Sequence, residues 1–324
     1  VNSTWWEWDL ETNSELQGTT AALYRNDTQP GGEIKFTDVT AGSGLDIAIY
    51  GMGVAVGDID NDGLIDIYVT CVGPNKLFKN LGDGRFADIS DSSATRGAET
   101  DWGTAAAFFD FDNDGLLDLF VANYVKWNRE IDFQVNFTID GTHRAYGPPT
   151  DFEGAFPRLY HNEGNGRFTE VSEASGIVIR NKATGVPAAK SLGVAPIDIN
   201  SDGNTDIIVA NDTVPNFLFI NQGDGTFKEV GAISGIAYDS NGNTRGAMGI
   251  DTARHRNDAD LGIAIGNFAN EMTALYVSQG QPMLFADEAI AEGIGPASRL
   301  PLKFGIFFFD YDLDGWQDLL TVNG

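Results

Sequence analysis

The residues with the clearest chemical potential are carboxylates set at alternate positions around a glycine. The stretch DIDNDGLID places Asp58, Asp60, Asp62 and Asp66 within nine residues, and the same spacing returns at Asp110, Asp112, Asp114 and Asp118. It returns again at Asp198, Asn200, Asp202 and Asp206, and at Asp310, Asp312, Asp314 and Asp318. Acidic groups packed this closely repel one another unless a cation lies among them. The spacing D-x-D-x-D-G-x-x-D offers side-chain oxygens at loop positions 1, 3, 5 and 9. A backbone carbonyl is available at position 7, from Leu64, Leu116, Asn204 or Trp316. Ca²⁺ takes six to eight hard oxygens in flexible geometry, and a glycine at position 6 allows the sharp turn around it. About four structural Ca²⁺ ions are expected.

An EF-hand shares the first half of this pattern, but it needs a bidentate Glu at position 12 and helical flanks. Position 12 here is Val69, Val121, Val209 or Thr321, and the flanking runs are short, β-branched and aromatic. These loops therefore belong between strands. A fifth copy is degenerate: Arg254 and Arg256 replace the first two carboxylates, and two residues are missing before Asp260. It is expected to hold no ion, with an arginine pairing to Asp258 or Asp260 in its place.

The elements that position these loops repeat as well. Apolar run, acidic loop and second apolar run form one unit, with loops beginning at residues 58, 110, 198, 254 and 310. A hairpin with a Gly-rich turn forms the other, as in NKLFKNLGDGRFADIS, PRLYHNEGNGRFTEVS and PNFLFINQGDGTFKEV. Both read as antiparallel strand pairs punctuated by Gly, Asn and Asp. Two pairs make a four-stranded sheet, and a ring of such sheets is a β-propeller, so the expected fold is all-β with five blades' worth of repeats. An aromatic-rich segment, 1–20, precedes the propeller at 21–324. If the ring closes within this chain, the hairpin in 21–40 completes the last blade; otherwise further blades follow.

Composition narrows the function. With 20 Lys+Arg against 47 Asp+Glu the formal charge is −27, which disfavours nucleic acid, since phosphate binding needs a basic face. No run of apolar residues is long enough for a membrane-spanning helix. The single cysteine, Cys71, excludes an intrachain disulfide and reads as a small core residue. The opening VNSTWWEWD reads as a mature or trimmed terminus.

The loops and the hairpins resemble FG-GAP/VCBS repeats, the calcium-binding blades also seen in integrin α-subunits. VANDTVPNFLFINQGDGTFKEV, GAMGID, YGPPTDFEGAFPRLYHNEGNGRFTEV and FFFDYDLDGWQDLLTVNG bring the resemblance closer to the ASPIC/UnbV (cartilage acidic protein-like) family. The resemblance implies about seven blades in a full-length member, with more chain following TVNG. It also implies a secreted, periplasmic or cell-surface location.

One blade carries a long insertion, 123–156, on the face opposite the acidic loops. Tyr124, Trp127, His143, Arg144 and Tyr146 make it a candidate ligand face, because binding residues concentrate on long loops of rigid scaffolds. The expected function is a calcium-binding propeller for protein interaction, adhesion or assembly, as a subunit of something larger. The alternative is a lectin or a polysaccharide-degrading enzyme, with the His/Arg/Tyr trio meeting a uronate. His161 stands where other hairpins carry Lys79 or Ile220 and reads as a strand-surface residue.

Overall fold

Alternating apolar residues with two different partners explain the architecture. In the run Ile207–Ala210, Ile207 and Val209 pack towards Phe120 and Leu159 of the preceding repeat. Ile208 and Ala210 pack towards Ile263 and Ile265 of the following one. A strand covered on both faces must be apolar throughout, and its period of two divides the side chains between two neighbours. A computed structural model describes residues 7–15, 18–281 and 283–324. It arranges the chain as a succession of antiparallel sheets, stacked face to face as the blades of a β-propeller.

A hairpin of β1 (Tyr24–Asn26) and β2 (Phe36–Asp38) comes first. Four complete blades follow. They are β3–β6 (Gly51–Gly57, Asp66–Cys71, Lys76–Asn80, Phe86–Asp88) and β7–β10 (Gly103–Phe109, Asp118–Asn123, Arg158–Asn162, Phe168–Glu170). Next are β11–β14 (Ser191–Ile197, Asp206–Asn211, Phe217–Asn221, Phe227–Glu229) and β15–β18 (Ala247–Ala253, Gly262–Asn267, Ala274–Ser278, Phe285–Asp287). The last pair is β19 (Lys303–Phe309) and β20 (Asp318–Asn323). Within each complete blade the strands pair in sequence order. The hairpin β1–β2 does not pair with β19–β20; it packs Leu23 against Val69, Cys71 and Phe78 of the first complete blade.

The first strand of each blade lies against the first strand of the next, and glycine makes this possible. A Cβ on Gly53 would lie 2.3 Å from the Thr104 carbonyl, and one on Gly249 would lie 2.1 Å from that of Phe304. Hydrogen bonds run along the same contact, from Thr70 Oγ1 to the Thr104 carbonyl and from Thr104 Oγ1 to that of Ser191. Each first strand also carries a register irregularity near its start, for example between Gly51 and Val54. Bulges of this kind increase local twist.

The insertion leaves the end of β8, which is the end remote from the acidic loop. Val125 pairs with Gly154, and the helix Arg129–Val135 is capped by Asn128, whose side chain accepts from the Ile131 amide at 2.8 Å. Trp127, Val125 and Phe152 form a small core there with Trp102 and Tyr124. No helix among the described residues is long and apolar enough to cross a membrane. Trp5 and Trp6, and the side chain of Trp8, lie outside the described residues.

Candidate metal centres

The acidic loops join the first and second strands of their blades, all at one end of the propeller. Each is shaped by its own backbone. In the first, Asp58 Oδ1 accepts from the Asp62 amide at 3.0 Å and Oδ2 from the Gly63 amide at 2.8 Å. Asp62 Oδ1 accepts from the Leu64 amide, and Asp66 accepts from Ile59 and Asn80. The same bonds recur in the second loop (Asp110, Asp114, Asp118) and the third (Asp198, Asp202, Asp206). The last loop repeats them through Asp310, Asp314 and Asp318, without the bond that a third strand supplies. Two left-handed residues fold each loop, at positions 4 and 6. In the first loop they are Asn61 (φ +56°) and Gly63 (φ +84°); in the last, Leu313 (+62°) and Gly315 (+91°). Asn and Gly adopt this region readily, which accounts for most of these positions.

Carboxylate oxygens converge as a result. Asp58, Asp60 and Asp62 each bring one oxygen within 4.8 Å of the others, as do Asp110, Asp112 and Asp118, and Asp310, Asp312 and Asp318. In the third loop Asn200 replaces one acid, accepting from the Asp202 amide and donating to Asp202 Oδ2 at 2.9 Å. The donors are all hard oxygens, and nothing lies within 4 Å of a Cβ position on Gly63, Gly115, Gly203 or Gly315. That donor set suits Ca²⁺. Leu64, Leu116, Asn204 and Trp316 stand at position 7, where a carbonyl would complete it.

In the first three loops the position-9 aspartates are the deepest, whereas Asp318, with no third strand beside it, is exposed. Asp118 and Asp206 are fully buried and Asp66 nearly so. Burial pushes the Asp118 carboxyl up to about 7 and that of Asp206 up to about 6, with hydrogen bonds from backbone amides opposing the shift. Such groups lack a full counter-charge within the protein.

Position 3 is where the loops differ. In the first two loops it is met by a third-strand side chain, while in the third Asn200 accepts a backbone amide instead. Lys79 Nζ contacts Asp60 and lies 3.3 Å from Asp62 Oδ2. His161 Nε2 lies 3.0 Å from Asp112 Oδ2 and 3.8 Å from Asp114 Oδ2. Burial opposes charge on His161, but Glu163 and the nearby Asp118 and Asp112 outweigh it and raise its pKa. Ile220, the counterpart in the third blade, faces a loop whose position 3 is the neutral Asn200. Sequence reading missed both basic partners and placed His161 on the strand surface. The signal was the parallel change at positions 60/79, 112/161 and 200/220.

Neighbouring loops are also stitched together. Asn61 donates to the Gly115 carbonyl at 3.0 Å and Asn113 to Asn204 Oδ1 at 3.1 Å. The third-strand asparagines reach back one blade, Asn162 to the Ile59 carbonyl and Asn221 to that of Phe111.

The degenerate loop differs from expectation in its pairing. Neither arginine pairs with Asp258 or Asp260. Arg254 donates to the Ala259 carbonyl, and Arg256 turns outward to Glu288 and Glu292. Asp260 is instead met by Ser278 Oγ at 3.1 Å. The loop is two residues shorter, and among the described residues Asp258 and Asp260 join no converging carboxylate cluster.

The expected ligand face on 123–156 is divided. Tyr124 and Trp127 pack in the small core rather than facing solvent. Tyr124 donates to Asp212 Oδ2 at 2.5 Å and meets Trp102 edge-on at 5.6 Å; Trp102 likewise meets Trp127 at 5.9 Å. An aromatic-lined joint between blades explains this. His143, Arg144 and Tyr146 sit at the exposed tip. His143 Nδ1 is 2.6 Å from Asp140, and Arg144 pairs with Asp132 above the Phe133 ring at 4.2 Å, while Tyr146 is 88% exposed.

A family model described as FG-GAP-like repeat matches residues 58–121 and 198–265. Cartilage acidic protein 1 of Xenopus tropicalis is 37% identical over 115 residues, 35% of this chain and 16% of that protein. Its Homo sapiens counterpart is 28% identical over 229 residues, 67% of this chain and 30% of that protein. The chain thus spans less than a third of these curated relatives. Among solved structures, an Agrocybe aegerita lectin that recognises non-reducing terminal N-acetylglucosamine aligns with a TM-score of 0.48 at 16% identity. That alignment covers 89% of this chain and 66% of the lectin. Rhamnogalacturonan lyase PL11 of Bacillus licheniformis aligns with a TM-score of 0.43 at 13% identity, covering 95% and 51%.

Proposed function

Given a chain of FG-GAP-like repeats homologous to cartilage acidic protein 1, we propose that it is a calcium-stabilised propeller outside the cytoplasm, serving as an interaction or assembly subunit. One observation carries the reading. The same backbone scaffold gathers three carboxylate oxygens within 4.8 Å in three separate blades. Repetition argues for a structural role, since a catalytic centre needs only one copy. Bound Ca²⁺ would add positive charge to what Lys79 and His161 bring to two of the loops and tie position 1 to position 9 across each inner hairpin. Open loops of this kind bind at roughly 10⁻⁴ to 10⁻³ M, which suits millimolar extracellular calcium.

The proposed interaction surface is the insertion at the opposite end, where Ile139 (76% exposed), Tyr146 and Phe133 are all exposed. A protein or glycan partner would meet apolar and aromatic surface there. Affinity capture in millimolar Ca²⁺, comparing the chain with a Tyr146→Ala, Ile139→Ser variant, tests this. Partner recovery that falls with the variant and with EDTA is expected; equal recovery under all conditions would refute it.

A further inference from the structure

Among the described acidic loops, the second has a nitrogen donor. His161 projects from β9 with Nε2 turned to Asp112 and Asp114, at 3.0 and 3.8 Å. Its other nitrogen, Nδ1, lies 3.3 Å from Glu163 Oε1, and the edge contact with Phe111 at 6.0 Å fixes the ring plane. A neutral imidazole has one N–H and one lone pair. With Nδ1–H given to Glu163, Nε2 faces two carboxylates: without a metal the imidazolium donates its second N–H to Asp112, and with one the same nitrogen offers its lone pair to the ion that the carboxylates share. A metal-bound histidine is oriented in this way, with its second ring nitrogen donating to a carboxylate. Asp112, Asp114 and His161 each place a donor atom within 4.8 Å of the others.

The equivalent residues cannot do this. Lys79 carries three N–H donors and no lone pair, and Ile220 has no polar atom. Imidazole with carboxylates shifts preference from hard ions towards borderline first-row divalent ions. We infer that the second loop, with His161 as a ligand, is a selective site for one transition ion of the Co²⁺ or Zn²⁺ class, while the other intact loops remain oxygen-only. The inference rests on the cage reading of these loops.

The test is Co²⁺ titration of the whole chain in millimolar Ca²⁺, followed by calorimetry and by visible d–d absorption. Variants are His161→Ile and His161→Lys, which copy the third and first blades, and His143→Ala, which removes the exposed His–Asp pair. Circular dichroism checks the fold. The expected result is one Co²⁺ per chain, bound at least tenfold more weakly by both His161 variants and unchanged in His143→Ala. His161→Lys keeps a positive charge but no lone pair, so retained Co²⁺ binding in that variant would overturn the inference. So would equal Co²⁺ affinity in His161→Ile, or a loss confined to His143→Ala. Thermal melting with Ca²⁺ alone separates the two claims. A calcium shift with no His161-dependent Co²⁺ site refutes this inference and leaves the cages standing; no calcium shift refutes the cages.

Discussion

The second and fourth blades present the same connection between first and second strands in two forms. In the second, Asp110, Asp112 and Asp118 converge with His161 beside them. In the fourth, Arg254 closes the loop on its own backbone, and Arg256 leaves for Glu288 and Glu292. Both loops sit on well-packed blades, and both pass an asparagine bond forward; Asn257 donates to the Gly315 carbonyl at 2.7 Å. The hairpin therefore does not need the carboxylate cage to form. The cage is a separable device, and where arginines stand in place of its first two acids they serve other partners. Calcium, on this account, adds stability to blades whose packing already specifies them.

The comparison can be broken most forcefully by chelation. If each intact loop is filled at ten times its dissociation constant, linkage gives about 1.4 kcal/mol per loop and on the order of 5 kcal/mol in all. Calorimetric melting with and without EDTA should show a large drop; an unchanged transition would end the calcium account.

A smaller effect is expected where the loops are stitched. Asn162 is fully buried and donates to the carbonyls of Ile59 and Leu117, in two successive blades. Asn162→Ala orphans buried acceptors, at a cost of about 1–3 kcal/mol. Denaturant unfolding should show that cost with or without calcium, which separates stitching from metal binding.

Asp112→Ala should remove one loop's share, about 1.4 kcal/mol of calcium-dependent stability at tenfold saturation. Without calcium it should cost little, because relief of repulsion among the carboxylates offsets loss of the partly exposed contact with His161. Equal calcium shifts in the variant and the parent chain would place the ion elsewhere. The smallest effect belongs to the fourth blade. Arg256→Ala loses ion pairs to Glu288 and Glu292 that are partly solvent-exposed, worth about 0.2–1 kcal/mol. That loss should be independent of calcium, and a calcium-dependent loss would mean that the fourth loop does take an ion.

Much of this was legible in sequence because repetition exposes it. Aspartates at alternate positions around a glycine fix both the turn and the donors, and two-sided apolar runs such as Ile207–Ala210 fix the stacked sheets. Contacts that cross elements were less visible. Lys79 and His161 lie far along the chain from Asp60 and Asp112, and only the strand register brings them together. Arg256 was misread because a charge beside a loop was assumed to face it, whereas the two-residue deletion turns it outward. Trp127 and Tyr124 look like ligand-binding aromatics in sequence; burial against Trp102 is a property of the folded joint alone.

The central claim is that four loops are cation cages and the fifth is not. The most direct measurement is a crystal structure grown with excess Ca²⁺, with ions located by their anomalous signal. The account predicts peaks at the loops of Asp58, Asp110, Asp198 and Asp310, and none between Arg254 and Asp260. Empty intact loops, or an ion in the fourth blade, would contradict it.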